Sequence, residues 1–213
     1  MGVDVKICGL STPEAVKAAA AGGARYIGFV FFPPSPRFVK PAVAAELGGY
    51  ANGDIVRVGL TVDADDAALA DIVAHARIDR LQLHGRESPE RVAEVRRRFG
   101  LPVIKALPIA GPDDVAAART YEEVADMLLF DARPPAGADR PGGNALSFDW
   151  RLLAAATWRR PWMLAGGLTA ANLAEAVRQS GAGAVDVSSG VEDQPGVKNV
   201  LKIQEFLQAA GRC

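Results

Sequence analysis

Short apolar runs alternate with helical patterns along the whole chain. Each apolar run is too short for a helix and is typical of a strand buried on both faces. The stretches between the runs carry Ala, Leu and Ile at three- and four-residue spacing, as amphipathic helices do. We predict strands over residues 3–9, 26–32, 55–62, 80–85, 102–109, 127–132, 161–168 and 184–188.

Each predicted strand is followed by a predicted helix. The first helix opens at the capping sequence Ser11-Thr-Pro-Glu14 and ends at Gly22-Gly23. The others are predicted over residues 41–50, 65–77, 88–99, 112–125, 148–158, 169–180 and 199–210. Such alternation indicates a parallel sheet with helical crossovers, and eight repeats within 213 residues favour a closed (β/α)₈ barrel forming one domain over residues 1–213. No Gly-x-Gly-x-x-Gly follows the first strand, which argues against a dinucleotide-binding fold.

The composition excludes several classes of partner. Hydrophobic residues make up 49% of the chain, and 24 basic residues balance 25 acidic ones to a net charge of −1. This balance supplies no basic field for a nucleic acid or an anionic membrane, and no run approaches the roughly 20 apolar residues of a membrane span. Two cysteines make a poor disulfide framework, and the start Met1-Gly-Val-Asp lacks a signal-peptide pattern. We therefore expect a cytoplasmic protein.

Polar residues recur on one face of several predicted strands. Because successive strand residues point to opposite faces, Lys6 and Cys8 share a face with Asp4, while Val3, Val5 and Ile7 share the other. The same rule groups Gln82 with His84, Val103 with Lys105, Leu129 with Asp131, and Asp186 with Ser188. We expect these polar groups to converge on the barrel interior. The first and eighth strands are neighbours in a closed barrel, so Lys6 and Asp186 are predicted to form a buried ion pair.

Reactive groups and small-residue loops follow four of the strands. Cys8 ends the first strand and Asp131 ends the sixth, and we expect the two to face each other across one active site. Loops 164–169 and 186–192 follow the seventh and eighth strands, and each is predicted to be a small-residue turn that leads into a helix. Backbone amides at such turns bind phosphate without Lys or Arg, and this is where a phosphate site usually lies in such barrels.

Several motifs carry a family resemblance that extends from the first strand to Pro195-Gly-Val-Lys198. They are Lys6-Ile-Cys-Gly-Leu, Gly28-Phe-Val-Phe, Ser35-Pro-Arg37, Leu81-Gln-Leu-His-Gly85, Phe130-Asp131, Phe148-Asp-Trp150, Leu164-Ala-Gly-Gly-Leu168 and Asp186-Val-Ser-Ser-Gly-Val-Glu192. The chain resembles the phosphoribosylanthranilate isomerases of tryptophan biosynthesis. The resemblance implies a (β/α)₈ barrel that uses no metal or organic cofactor, binds a phosphorylated sugar-anthranilate substrate, and is a monomer by default for the family.

The resemblance also implies an Amadori rearrangement and assigns its residues. Asp131 would protonate the ring oxygen of the furanose and must therefore hold a proton near neutral pH, which burial favours. Cys8 would remove the C2′ proton as a thiolate, helped by a nearby cation or helix terminus. Arg37 would hold the anthranilate carboxylate. The phosphate would bind to the amides of Gly166, Gly167, Ser188, Ser189 and Gly190.

Other interpretations stay open at this point. By residue type alone, Cys8 would be a small buried hydrophobe, Arg37 a solvated surface residue and His84 a hydrogen-bonded core residue. Another sugar-phosphate barrel enzyme is the nearer alternative, although a histidine-pathway isomerase would call for an aspartate at the exit of the first strand and an epimerase for metal-ligating histidines. A non-catalytic phosphate-binding barrel is the second. The segment Gly142-Gly-Asn-Ala145 departs from the usual Gly-Gly-x-Gly of the family, which puts the shape of that loop in question.

Overall fold

Eight parallel strands form a closed barrel in this computed structural model, which describes residues 2–51, 53–133, 142 and 146–213. The strands are β1 Asp4–Cys8, β2 Tyr26–Val30, β3 Val56–Thr61, β4 Arg80–Leu83, β5 Val103–Ile109, β6 Met127–Ala132, β7 Trp162–Leu164 and β8 Ala184–Val187. Neighbours in the chain are neighbours in the sheet, and β1 pairs with β8 to close it. The predicted (β/α)₈ barrel is therefore confirmed.

Helices follow the strands on the outside of the barrel. They are α1 Pro13–Ala21, α2 Pro41–Gly48, α3 Asp66–His75, α4 Pro89–Phe99, α5 Pro112–Ala118, α6 Arg151–Ala154, α7 Leu173–Ser180 and α8 Val200–Ala210. At four helix starts, a side-chain oxygen accepts a hydrogen bond from a backbone N–H of the first turn. The accepting residues are Thr12, Asp65, Ser88 and Asn199. Such caps satisfy donors that the first helical turn leaves free. In the described part of the chain, no helix combines the length and the apolarity needed to cross a membrane.

Strand residues alternate between the barrel interior and the helix layer. Val5 and Ile7 of β1 belong to the large apolar cluster shared with the helices, whereas Lys6 and Cys8 face the interior. Lys6 is opposite Asp186 in the β1–β8 register, and its Nζ lies 2.8 Å from Asp186 Oδ1. The predicted orientation of β1 and its buried ion pair are both confirmed.

The prediction that Lys105 faces the barrel interior is wrong. Lys105 does share a face with Val103, but that face packs against the helices, and its Nζ binds Glu87 and the carbonyl oxygens of Leu83 and Gly85. The interior residues of β5 are Ile104 and Ala106 instead. The other residues on the outward face of β5, Val103, Leu107 and Ile109, are aliphatic and pack in the large apolar cluster, so Lys105 is buried with them and its charge is paired with Glu87.

Element boundaries differ from the predictions after β6. The helix predicted over residues 148–158 is reduced to α6, and Trp158 lies outside it and packs on Phe130 with the ring centroids 4.6 Å apart and the ring planes tilted by 42°. α7 begins at Leu173 instead of residue 169. After β8 the chain makes a 3₁₀ turn, Ser189–Val191, and then a hairpin of β9 Glu192–Gln194 and β10 Val197–Lys198, which was not predicted. Its turn contains Gly196 at φ 88°, a conformation that favours glycine.

Candidate active site

An open cavity lies at the mouth of the barrel, where the strands end, and encloses about 770 Å³ of space when the open solvent at its entrance is included. Residues at the ends of seven strands, all except β5, and in the loop after β2 line it, and they include Cys8, Arg37, His84, Asp131, Asp186 and Ser188. The carboxyl ends of all eight parallel strands meet here, which is where barrel enzymes place their active sites. The structure therefore brings Cys8 and Asp131 to the same cavity, as the sequence analysis expected.

Cys8 lies beside a buried lysine. A Cβ atom on Gly28 would stand 3.1 Å from Cys8 Sγ and 3.2 Å from Lys6 Nζ, so the absence of a side chain at residue 28 leaves room for both groups. Burial raises the pKa of the Cys8 thiol and Asp186 adds to that rise, whereas the cations of Lys6 and Lys198 oppose it. Burial alone would lower the pKa of Lys6, but Asp186 and Cys8 outweigh it and raise that pKa. Lys6 therefore remains a cation next to the thiol.

Asp131 contacts His84, which in turn is hydrogen-bonded to Gln82. Asp131 Oδ1 accepts the N–H of Ala132 at 2.8 Å, and its Oδ2 lies 3.3 Å from His84 Nε2. His84 Nδ1 lies 2.9 Å from Gln82 Nε2. A Cβ atom on Gly142 would come within 2.8 Å of both His84 Nε2 and Asp131 Oδ2, so the glycine backbone lies close over the pair.

His84 is thus part of the cavity, although by residue type the sequence analysis favoured a core histidine. Its position in the sequence already indicated this. His84 directly follows β4, just as Cys8 and Asp131 lie at the ends of their strands, and it shares the interior face of its strand with Gln82. The residue type of His84 favours a core histidine, whereas its position at the strand end favours a residue of the cavity.

Arg37 is buried and already bound to a carboxylate. Its Nε and Nη2 donate to Oε1 and Oε2 of Glu192 at 2.8 Å each, and Lys198 Nζ donates to the same Oε1 at 2.7 Å. Burial tends to raise the pKa of Glu192, but the two cations outweigh it and lower that pKa. The Arg37 side chain crosses Gly9, where a Cβ atom would come within 2.6 Å of Arg37 Cδ. Glu192 and Lys198 both lie in motifs that carry the family resemblance, although the resemblance implied no role for either.

The loops after β7 and β8 lie side by side. Gly166 and Gly167 have φ of 89° and 63°, and a Cβ atom on Gly190 would come within 1.9 Å of the carbonyl oxygen of Leu168. The backbone amides of Gly166, Gly167 and Ser188 find no acceptor among the described residues. The prediction that a helix directly follows the β8 turn is wrong, because a three-residue 3₁₀ turn and the hairpin take its place.

The cavity has an apolar side and an amide-rich side. Apolar side chains line the part next to β2 and β3, namely Val30, Phe32, Leu60 and Val62. Free amides of the β7 and β8 loops line another part. The geometry therefore suits a ligand with a flat apolar group at one end and an anionic group at the other. Among the described residues no three His, Cys, Asp or Glu side chains are grouped as metal ligands would be. Residues 143–145, the remainder of the loop that departs from the family pattern, lie outside the described residues.

Comparisons with known proteins agree on one family. The family model described as N-(5′-phosphoribosyl)anthranilate (PRA) isomerase matches residues 5–209. N-(5′-phosphoribosyl)anthranilate isomerase of Paramagnetospirillum magneticum is 58% identical over 210 residues, which cover 99% of this chain and 98% of the relative. The same enzyme of Rhodospirillum rubrum is 58% identical over 209 residues, covering 96% of each chain.

Solved structures give the same result. Phosphoribosyl anthranilate isomerase from Thermotoga maritima matches with a TM-score of 0.88 and 32% identity, covering 99% of this chain and all of the other. A phosphoribosyl anthranilate isomerase in complex with reduced 1-(o-carboxyphenylamino)-1-deoxyribulose 5-phosphate matches with a TM-score of 0.85 and 31% identity over 99% of this chain and all of the other.

Proposed function

This chain belongs to the N-(5′-phosphoribosyl)anthranilate isomerase family, and we propose that it converts N-(5-phosphoribosyl)anthranilate to 1-(2-carboxyphenylamino)-1-deoxyribulose 5-phosphate in tryptophan biosynthesis. The family match over residues 5–209 carries the proposal. It is supported by the cavity that brings together Cys8, Arg37, Asp131 and the two amide-rich loops.

The two sides of the cavity fit the two ends of this substrate. Its anthranilate ring is flat and apolar, which suits the wall of Val30, Phe32 and Leu60. Its phosphate suits the amides of Gly166, Gly167, Ser188, Ser189 and Gly190, since backbone N–H groups bind phosphate oxygens well. The ribose would then span the barrel mouth between Cys8 and Asp131.

Asp131 is the proposed general acid. In the first step its carboxyl gives a proton to the ring oxygen of the furanose, the bond from that oxygen to C1′ breaks, and a Schiff base forms with the anthranilate nitrogen. The N–H of Ala132 fixes Oδ1 at 2.8 Å, so Oδ2 is the oxygen left to carry the proton. After transfer Asp131 is a carboxylate, which the N–H of Ala132 stabilises.

Cys8 is the proposed general base. Its thiolate removes the C2′ proton, which the Schiff base makes acidic, and an enolamine results. Tautomerisation then moves a proton from the O2′ hydroxyl to C1′ and gives the ketose. Cys8 ends with one extra proton and Asp131 with one fewer, so exchange through solvent restores both. The cation of Lys6 counteracts the burial that disfavours the thiolate.

Arg37 is the proposed anchor of the anthranilate carboxylate. Glu192 accepts hydrogen bonds from Nε and Nη2 of Arg37. Nη1 has no hydrogen-bond partner among the described residues. We infer that Glu192 holds the guanidinium in place and that Nη1, with the second hydrogen of Nη2, meets the substrate.

The loss of substrate fluorescence during turnover tests these assignments. Cys8→Ser and Asp131→Asn should each lower kcat roughly a hundredfold or more, with KM changed much less, because each removes a group needed in the transition state. Cys213→Ser and Asp71→Asn are matched controls at the chain end and on the exposed side of α3, and both should retain activity. A wild-type protein without isomerase activity would favour a non-catalytic phosphate-binding barrel instead.

The remaining expectations belong to the same proposal. We infer one domain over residues 1–213 that acts as a monomer in the cytoplasm, binds neither nucleic acid nor membrane, and needs no metal or organic cofactor. Size-exclusion chromatography with light scattering tests the monomer, and turnover that persists after treatment with a chelator tests independence of metal.

A further inference from the structure

Gln82 has no role in the mechanism above, yet it is a fully buried polar residue inside the barrel, with none of its surface exposed. Its Nε2 lies 2.9 Å from His84 Nδ1. Its Oε1 is buried and has no hydrogen-bond partner in the described part of the chain. A buried carbonyl oxygen without a donor is unfavourable, and such an atom calls for an explanation.

The three residues allow only two consistent sets of hydrogen bonds. When the amide N–H of Gln82 donates to Nδ1, the ring proton of neutral His84 is on Nε2, which lies 3.3 Å from Oδ2 of an ionised Asp131. When the pair of Asp131 and His84 holds one more proton, Nδ1 carries a hydrogen and needs an acceptor. A half turn of the Gln82 amide would place Oε1 there, since the oxygen and nitrogen of an amide exchange places.

We propose that Gln82 is a positioning residue that couples the proton of the Asp131–His84 pair to the orientation of its own amide. The amide presents N–H to His84 when the pair has released its proton, and the carbonyl oxygen when the pair holds it. The extra proton lies between Oδ2 and Nε2 in the second state and belongs to the pair as a unit. The inference rests on the proposed function, because it describes how the proton donor is kept ready.

Among the described residues, no other titratable side chain is hydrogen-bonded or ion-paired to His84 or Asp131. On the described parts of β5 and β7, the interior residues next to it are apolar or glycine. Of the residues that the structure describes, the charged and titratable groups that face the cavity from the other elements are Cys8, Asp186 and Arg37, while Lys6 is fully buried and Lys105 and Glu87 lie behind β4 and β5. Lys6 and Asp186 bind each other, as do Arg37 and Glu192. Gln82 is therefore the group that contacts the far nitrogen of His84.

Side-chain nitrogen NMR of the free enzyme tests the proposal without substrate. The chain has only two histidines, so a His75→Asn variant assigns the ring signals of His84. We expect the Gln82 side-chain N–H₂ signals to move at the same pH midpoint as Nδ1 of His84, because the amide stops donating when Nδ1 gains its proton. In Asp131→Asn that common midpoint should change. Amide signals of Gln82 that stay constant while His84 titrates would overturn the proposal.

A Gln82→Glu variant gives the directional test. A carboxylate at this position can only accept, so Nδ1 of His84 should keep its proton to higher pH than in the wild type. An unchanged midpoint for Nδ1 in a folded Gln82→Glu protein would contradict the coupling. Should this variant fail to fold, the wild-type titration still decides the matter.

Kinetics separate positioning from packing. Gln82→Met keeps the length of the side chain but removes its hydrogen bond, and kcat should fall roughly threefold to tenfold with little change in KM. Ile104→Met, at the register partner of Gln82 on β5, changes the same layer of the barrel without touching the hydrogen bonds, and kcat should stay near the wild-type value. Equal losses in both variants would assign Gln82 a packing role only. Absence of isomerase activity in the wild type would refute the proposed function. The NMR titration needs no substrate, so it would still test the coupling between Gln82 and His84.

Discussion

Glu192→Gln should destabilise the protein more than a single surface change does. Three charge-assisted hydrogen bonds reach this carboxylate, two from Arg37 at 2.8 Å and one from Lys198 at 2.7 Å, and all three side chains are at most 4% exposed. A glutamine has one acceptor oxygen, so its NH₂ group would face at least one N–H donor. Two buried cations would also lose their counter-charge.

The magnitude follows from this geometry. Removing one partner of a buried ion pair costs about 3–5 kcal/mol, a large share of the roughly 5–15 kcal/mol that a domain has in total. For a chain of this size the melting temperature should fall by roughly 6–20 °C. Denaturant unfolding and calorimetry measure both quantities. The activity should fall as well, mainly through KM, because Glu192 holds the guanidinium that we assign to the substrate carboxylate.

A matched control and a pH series complete the test. Glu175→Gln removes the same charge from the exposed pair with Arg178 and should leave the unfolding midpoint nearly unchanged. The pKa of Glu192 is lower in the folded state than in the unfolded chain, so its stabilisation is present at neutral pH and is lost as pH falls through the folded-state pKa. The difference between wild type and Glu192→Gln should therefore shrink in acid. Equal effects of the two Glu→Gln changes at pH 7 would refute the reasoning.

Three further predictions follow from the same site. Lys6→Met should move the pH midpoint of Cys8 alkylation by iodoacetamide upward and Asp186→Asn should move it downward, because the first removes a charge that lowers the thiol pKa and the second a charge that raises it; shifts in the same direction would contradict this. Arg37→Ala should raise KM for phosphoribosylanthranilate at least tenfold with a smaller change in kcat, since a hydrogen bond to a charged group contributes about 1.5–3 kcal/mol; an unchanged KM would exclude the role. Gly190→Ala should weaken inorganic phosphate binding measured by calorimetry, because its Cβ would come within 1.9 Å of the Leu168 carbonyl oxygen and push the two loops apart, whereas Gly183→Ala, with nothing near its Cβ, should not.

Local rules were sufficient to predict the barrel and the ion pair inside it. Strand and helix patterns are short-range properties, and closure of eight repeats follows from their number. Closure in turn makes β1 and β8 neighbours, so the pairing of Lys6 with Asp186 could be deduced although 180 residues separate them. The parity rule failed for Lys105 because it groups residues on a face without saying which face is inside.

The contacts that shape the cavity were harder to predict because they join loops. Arg37 lies after β2 and Glu192 lies in the hairpin after β8, and no periodicity relates two loop residues that are 155 positions apart. The same holds for Trp158, which lies outside α6 and packs on Phe130 although the local pattern predicts a helix there. Tertiary contacts override local preference at both places.

The fold gives the two proposed catalytic groups, Cys8 and Asp131, different electrostatic surroundings at opposite parts of one cavity. Cys8 has a fixed cation beside it, and Lys6 stays charged because Asp186 holds it in the barrel wall. Asp131 instead faces His84, a residue that can carry a proton on either nitrogen. A base that must lose its proton gains from a permanent positive charge, whereas an acid that must give its proton away gains from a neighbour able to share it. The barrel supplies both because its strands end at one mouth, so that residues far apart in sequence act on the same substrate.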